Sequence, residues 1–258
     1  MEVPGGAAQR DDWDQHWDNY AAAAEQNPAQ RYRRKLVFDL LELAGGARVL
    51  DIGSGQGDFA AELLQRHPGA ELLGIEVSPA GIEISQRKAP SASFIVRDLM
   101  DPEPPPADYR DWATHAVCSE VLEHVDDPTR VIANSLPYMQ PGCRLVVTVP
   151  AGPMSAFDRH IGHRRHFSPT DLRNLLREAG FEVEMSGGAG FPFFNLYRLA
   201  VVLGGRRLVS VGDEVSESPS ANAAMATFRA LFKLNLPIMR GGWQTVAVAR
   251  RAAAAGGG

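Results

Sequence analysis

The chain is poor in cysteine. Its two cysteines, Cys118 and Cys143, both lie in apolar, strand-like runs. That excludes a disulfide framework and reads as buried free thiols in a reducing, cytoplasmic compartment. No apolar run approaches the roughly 18 residues that a membrane span needs. The opening MEVPGGAAQRDDWDQHW has neither a basic start nor an apolar centre, so no signal peptide is expected. Charge of one sign is scarce too. The formal net charge is −5 and no long basic stripe occurs, so nucleic acid is not an expected partner. No internal repeat is visible. What remains is 258 residues with 45% hydrophobic content, enough for one large domain with a real core.

Apolar runs alternate with helical patterns along most of the chain. Strands are expected at 47–53, 70–77, 92–99, within 111–122, and at 143–150, 181–188 and 243–251. Helices are expected at 27–41, 59–67, 79–89, 127–139 and 168–181. The last of these begins at a serine, and Gly180 marks its end. Such alternation implies a Rossmann-like three-layer α/β sandwich with a mainly parallel sheet. The pattern breaks between Gly188 and Trp243. Two helix-like segments there, 191–204 and 222–235, flank the polar, loop-like GGRRLVSVGDEVSESPSAN and read as a helical cap inserted at 189–242. Residues 1–10 and the tail 251–258 are expected to be disordered, leaving 11–250 as the domain.

The stretch RVLDIGSGQGDFA places Gly53, Gly55 and Gly57 between a strand and a helix. A dinucleotide fingerprint requires G-x-G-x-x-G; here the third glycine falls one residue early. Asp51, two residues before the first glycine, would repel a pyrophosphate and favour a cation. Glu76, at the end of the next strand, stands where a ribose-binding acid belongs. Two acids around a glycine turn ask for a ligand with an amine and a ribose diol but no phosphate. S-adenosyl-L-methionine fits that description.

VLDIGSGQG, LLGIEVSP, FIVRDLMD and CSEVLEHVDDP occur in that order, and with them the chain resembles the class I S-adenosylmethionine-dependent methyltransferases, in their small-molecule branch. LREAGFEVE looks like that branch's lead into the sixth strand. The likeness spans Trp13 to Gly188 and Trp243 to Arg250. It departs at Thr114, where an aspartate is common. It implies a seven-stranded sheet with an antiparallel last strand, and a cofactor site of Asp51, Gly53, Ser54, Gly55, Gly57, Glu76, Val77, Asp98, Leu99, Ser119 and Glu120. Asp98 would meet the adenine amino group and Leu99 would contribute its backbone. Arg31 or Tyr32, from the helix at 27–41, would touch the methionine carboxylate. Trp13, Trp17 and Tyr20 have helical spacing and read as a packed amphipathic helix or as an aromatic wall.

The acceptor is expected near VPAGPMSAFDRHIGHRRHFSPTDL, residues 149–172, a loop leaving a strand's carboxyl end. His160, His163 and His166 fall within seven residues there. Their H-x-x-H-x-x-H spacing lacks carboxylate support and is not a standard zinc pattern, so no metal is expected. The resemblance instead makes His163 and His166 wall or base residues, with His124 competing as base. Phe193 and Tyr197 belong to an aromatic stripe that suits either core packing or an apolar acceptor. Arg206 and Arg207 would meet an anionic acceptor group or sit in a solvated turn. The expectation is O-methylation of a small, apolar or aromatic metabolite by a monomer or homodimer, releasing S-adenosyl-L-homocysteine. N- or C-methylation and a non-catalytic cofactor-binding protein remain alternatives. No N/D-P-P-Y/F motif of amino-group nucleic-acid methylases follows the fourth strand.

Overall fold

The computed structural model describes residues 27–210, 219–239 and 241–252. The expectations for 1–10, for Trp13, Trp17 and Tyr20, and for the end of the tail lie outside them. Helix α1 (Pro28–Leu41) precedes β1 (Arg48–Ile52), α2 (Asp58–Arg66), β2 (Glu71–Glu76), α3 (Pro79–Lys88) and β3 (Ser93–Val96). Then come β4 (Ala113–Ser119), α4 (Pro128–Ser135), β5 (Met139–Pro150), α5 (Ala156–His160), α6 (Pro169–Glu178) and β6 (Phe181–Ala189). Helices α7 (Phe193–Ser210) and α8 (Pro219–Leu231) lead to β7 (Gln244–Arg251). No helix among the described residues is long and apolar enough to cross a membrane.

The seven strands form one sheet in the order β3-β2-β1-β4-β5-β7-β6. Strands β1 to β5 pair in parallel, and β7 runs antiparallel to both of its neighbours. Alternation along the strands sends successive side chains to opposite layers. Leu50, Ile52, Leu73 and Ile75 enter one core, while Val49, Leu72, Val117 and Val146 enter the other. Both faces of the sheet are thus covered, as a parallel sheet requires. Cys118 and Cys143 are buried free thiols.

Capping explains where the helices start. The Asn27 side chain accepts from the Ala29 N–H at 2.9 Å, with Pro28 opening α1. Ser168 and Asp171 form a reciprocal capping box at α6. Thr114, where the resemblance expects an aspartate, accepts the Arg48 N–H at 3.0 Å and so ties β4 to the start of β1.

The inserted helices pack on α1 through aromatic rings. Tyr32 lies 5.2 Å from Phe194 and 5.4 Å from Phe232, ring centre to ring centre, and Tyr197 joins Phe228 at 5.3 Å. Helix α7 also runs further than the sequence pattern suggests. Residues 205–210, read there as loop, are its last turns, because leucine and arginine sustain a helix that two glycines only weaken. Arg206 and Arg207 therefore belong to a helix, not to a turn.

Candidate functional site

The strand order reverses between β1 and β4. Ligands of open α/β sheets bind beyond the carboxyl ends of the strands at such a point. A cavity of about 520 Å³ lies there. It is lined by the ends of β1, β2 and β4, by the turns after them, by α1, and by the loop around His163.

The glycine turn is built for close approach. Gly57 caps α2 with φ +79°, and a Cβ there would come within 2.8 Å of the Ser85 backbone. Gly53 has φ +70°, and its Cβ would overlap the Val121 side chain. Both positions exclude a side chain twice over, by conformation and by space. Gly57 does not line the cavity, whereas Gly53, Ser54, Gly55 and Gln56 do. Gly57 thus shapes the turn from behind.

Glu76 holds this turn. Its carboxylate accepts the N–H groups of Gly55 (2.8 Å), Val77 (2.9 Å) and Ser78 (3.0 Å). Asp51 is buried beside it, and its Oδ2 has no hydrogen-bond partner among the described residues. Burial, and after it the Glu76 charge, pushes the Asp51 carboxyl up to about 7. Asp98, Leu99 and Val77 complete the side of the cavity near β2 and β3. Asp98 also accepts the Met100 N–H at 2.8 Å, and the Leu99 carbonyl is bonded by the Asn134 amide at 2.8 Å.

Beyond β4, Ser119 and Glu120 line the same space. Glu120 has φ +59°, a conformation costing a non-glycine residue on the order of 1 kcal/mol. Its side chain is held by Arg33 (2.9 Å), Gln244 (2.7 Å) and Thr148 (3.3 Å), and its N–H donates to the Thr148 carbonyl. Gln244, reached from β7, carries no motif that sequence reasoning could have used.

Helix α1 presents a different face from the one expected. Gln30, Arg33, Arg34 and Val37, at helical spacing, line the cavity. Arg31 is exposed, and Tyr32 packs into the aromatic cluster. Arg33 Nη1 is buried with no hydrogen-bond partner among the described residues. The helical period, projected from the sequence, names the right helix; only the packing of Tyr32 against Phe194 and Phe232 fixes its rotation.

The expected acceptor residues separate into two groups. His124 and His163 line the cavity, with ring centres 4.7 Å apart. His160 is exposed, and His166 turns its Nδ1 to the Gly152 carbonyl at 2.9 Å outside the cavity wall. Burial, and then the His124 charge, pushes His163 down to about 2, which leaves it neutral and a weak proton acceptor. Burial lowers His166 as well. Phe193 and Tyr197 face the aromatic cluster rather than the cavity. Asp158 is buried, accepts from Ser155 at 2.7 and 2.8 Å, and meets Arg198 of α7 through both oxygens at 3.0 and 3.1 Å. The loop is thereby fastened to the inserted helices. Glu123 is fully buried behind His124, and burial, then the Glu120 charge, holds its carboxyl well above the usual range.

Comparison with known proteins places this geometry in a family. Residues 26–186 match a family model described as a methyltransferase domain. The chain is 28% identical over 206 residues to a ubiquinone biosynthesis O-methyltransferase of Xylella fastidiosa, covering 71% of this chain and 80% of that one. It is 33% identical over 129 residues to a demethylmenaquinone methyltransferase of Thermus thermophilus, covering 49% and 58%. Among solved structures, the [4+2]-cyclase SpnF aligns with a TM-score of 0.65 at 20% identity, over 97% of this chain and 98% of that one. The N-methyltransferase NodS of Bradyrhizobium japonicum, solved with S-adenosyl-L-homocysteine, aligns with a TM-score of 0.58 at 18% identity, over 93% and 99%.

Proposed function

The chain belongs to the methyltransferase-domain family, and on that premise we propose that it moves the methyl group of S-adenosyl-L-methionine to an oxygen of a small, apolar or aromatic acceptor. One observation carries the cofactor assignment. Asp51 Oδ2 and Arg33 Nη1 are both buried and unpartnered among the described residues, and both residues line one cavity. Leaving such groups unpaired is expensive. A ligand with an ammonium and a carboxylate on one carbon satisfies both, and the methionine moiety is such a ligand.

The remaining assignments follow the strand ends. Glu76 is placed to accept a ribose hydroxyl in addition to the three N–H groups of the turn, a carboxylate having about four acceptor positions. Asp98 meets the adenine amino group, and Val77 and Leu99 supply apolar contact to the ring. The sulfonium methyl then points toward the part of the cavity walled by Ser119, Glu120, His124 and His163. Transfer is an in-line displacement: the acceptor oxygen attacks the methyl carbon, the carbon–sulfur bond breaks with its electron pair staying on sulfur, and the acceptor's hydroxyl proton is released to water. The leaving group is a neutral thioether, so the protein's task is to align the partners and exclude water. Oxygen as acceptor atom is supported by likeness to a ubiquinone biosynthesis O-methyltransferase.

The test has two stages. Calorimetric titration of the full chain with S-adenosyl-L-methionine, and separately with NAD, is expected to give saturable binding of the first alone. Incubation with labelled cofactor and a panel of catechols, hydroquinones, phenols and amines is expected to label a hydroxyl product. Label on nitrogen or carbon would overturn the oxygen assignment. Cofactor binding with no transfer to any acceptor would favour a non-catalytic cofactor-binding role.

A further inference from the structure

Single exposed hydrophobic side chains are ordinary on a protein surface, but a concentration of them is not. Ten large hydrophobic side chains are exposed among the described residues, and eight of them belong to the inserted segment from Phe191 to Met239. Three stand on α7. Leu196, Leu199 and Leu203, at spacings of three and four, are 53%, 40% and 79% exposed. They fall on the side of the helix opposite Phe194 and Tyr197, which face the aromatic cluster. Helix α7 is thus apolar on two sides, and only one of them is covered. The exposed side continues past the helix. The Leu236 N–H donates to the Phe191 carbonyl at 2.8 Å, and the Asn235 side chain accepts the Phe193 N–H at 2.9 Å. The stretch that carries exposed Leu234 and Leu236 therefore runs beside the start of α7.

The same segment is charged in one sense. Residues 191–210 and 219–239 contain no Asp or Glu and five Arg or Lys, in a chain whose net charge is −5. Arg198 is committed to Asp158. Arg229, at the end of α8, and Lys233, beside Leu234 in the chain, are exposed. Arg206 and Arg207 follow Leu203 on α7.

We propose that the outer side of α7 and the adjoining stretch at 234–236 form a docking surface for a lipid bilayer with anionic headgroups, with the helix lying in the interface. No helix among the described residues is long and apolar enough to span a bilayer, so the contact is peripheral. Leucines beside cations, without acids, suit such a surface: the leucines enter the acyl boundary and the cations stay among the headgroups. Shape argues the same way. Leu203 protrudes and does not line the cavity, and a fluid acyl layer accommodates a protruding side chain without a matching pocket. A second copy of the chain fits less well, because a two-fold contact sets the same patch against itself, cation against cation. Through Arg198 and Asp158 the buried side of α7 holds the loop that carries His163. Resting on the methyl-transfer reading, docking brings that loop to the layer in which an apolar acceptor concentrates.

The untagged full chain is sedimented with vesicles of phosphatidylcholine alone, and of phosphatidylcholine and phosphatidylglycerol at two to one. Saturable binding to the mixed vesicles is expected, falling at least tenfold on pure phosphatidylcholine and again when salt is raised from 0.1 to 0.5 M. Leu199→Glu combined with Leu203→Glu is expected to weaken it a hundredfold or more. Arg229→Gln combined with Lys233→Gln is expected to weaken it about twentyfold, about fivefold for each cation. All four side chains are exposed, and unchanged thermal unfolding of each variant reports an intact fold. No binding of the wild type to mixed vesicles would overturn the proposal, as would undiminished binding by the glutamate variant. A concentration-dependent dimer that the glutamates dissolve, without vesicle binding, would overturn it in favour of a second copy. Vesicle binding that appears only in the full chain carrying Trp13→Ala and Trp17→Ala would overturn it in favour of the chain's own acidic segment 1–26. Cofactor titration is read separately: a chain that binds vesicles but not S-adenosyl-L-methionine keeps the surface and loses the transfer reading.

Discussion

Asp51 gives the cofactor site a proton signature. Its carboxyl is raised from 3.8 to about 7, chiefly by burial and secondarily by Glu76. A cationic ligand group beside it favours the ionised form, so binding expels a proton wherever the free protein holds one. If the bound carboxyl returns to the ordinary range, affinity falls about tenfold per pH unit below about 7 and levels off above it. Between pH 8 and pH 5.5 the dissociation constant for S-adenosyl-L-methionine is expected to rise about thirtyfold from Asp51 alone. The same shift acts on the empty protein with the opposite sense. Between about pH 4 and 7 the folded chain binds a proton that the unfolded chain has released, so stability falls as pH rises, by an upper bound of ~4 kcal/mol. Asp51→Asn removes both effects: its melting temperature without ligand should overtake the wild type's as pH rises through that window, and its affinity should be weak but free of the Asp51 slope. The assay is calorimetric titration of both proteins across pH 5.5 to 8, in two buffers of different ionisation enthalpy. The ratio of the two dissociation constants cancels the titration of the cofactor's own amine. A ratio that does not change with pH, or proton uptake on binding at pH 6, would refute the reasoning.

Three further outcomes are expected. Arg33→Met should weaken cofactor binding about ten- to a hundredfold, the worth of one charge-assisted hydrogen bond, whereas Arg31→Ala should leave it within about twofold; equal effects would return the carboxylate to the expected residue. Gly57→Ala should cost about 2 to 4 kcal/mol in urea denaturation, since it adds a left-handed backbone and an overlap with Ser85; a neutral result would show that the turn relaxes. Phe194→Ala should cost about 3 to 5 kcal/mol of stability without altering cofactor affinity, because the ring is 1% exposed in the cluster that seats the inserted helices on α1; a change in affinity at unchanged stability would give the cluster a direct role in binding.

The sheet and the strand ends that line the cavity were legible because both rest on local pattern. Strands buried on both faces read as short apolar runs, and Asp51, Glu76 and Ser119 sit at the ends of β1, β2 and β4. Counting along a strand is enough to place them on one edge. What the pattern could not supply was rotation and distance. Arg31 and Arg33 are two residues apart on one helix, some 200° around its axis, and only tertiary packing decides which faces the ligand. His160, His163 and His166 look equivalent in a string. A short helix, α5, then carries His160 to solvent, and His166, bonded through Nδ1 to the Gly152 carbonyl, stands beside His163 but outside the cavity lining. Phe193 and Tyr197 satisfy a core and an acceptor pocket equally well by composition; Tyr32, 165 positions before Tyr197 and in the same cluster, decides for the core.

The two halves of the cavity differ in how they are made, and this separates what is general in the protein from what is particular. One half consists of strand ends and the turns they force, with Asp51 and Glu76 fixed by sheet register and Arg33 added from α1. The other half consists of a loop fastened by Asp158 to Arg198, with His124 and His163 as its polar face and Glu123 behind them. A protein of similar fold, SpnF, is described as a [4+2]-cyclase, so the architecture does not by itself dictate the reaction. The reaction must be decided where architecture is least constraining, at the cavity wall that carries His124 and His163. Its polar groups, His124 and His163, come from the turn after β4 and the loop after β5, not from strand ends, so they can differ between proteins that share the sheet.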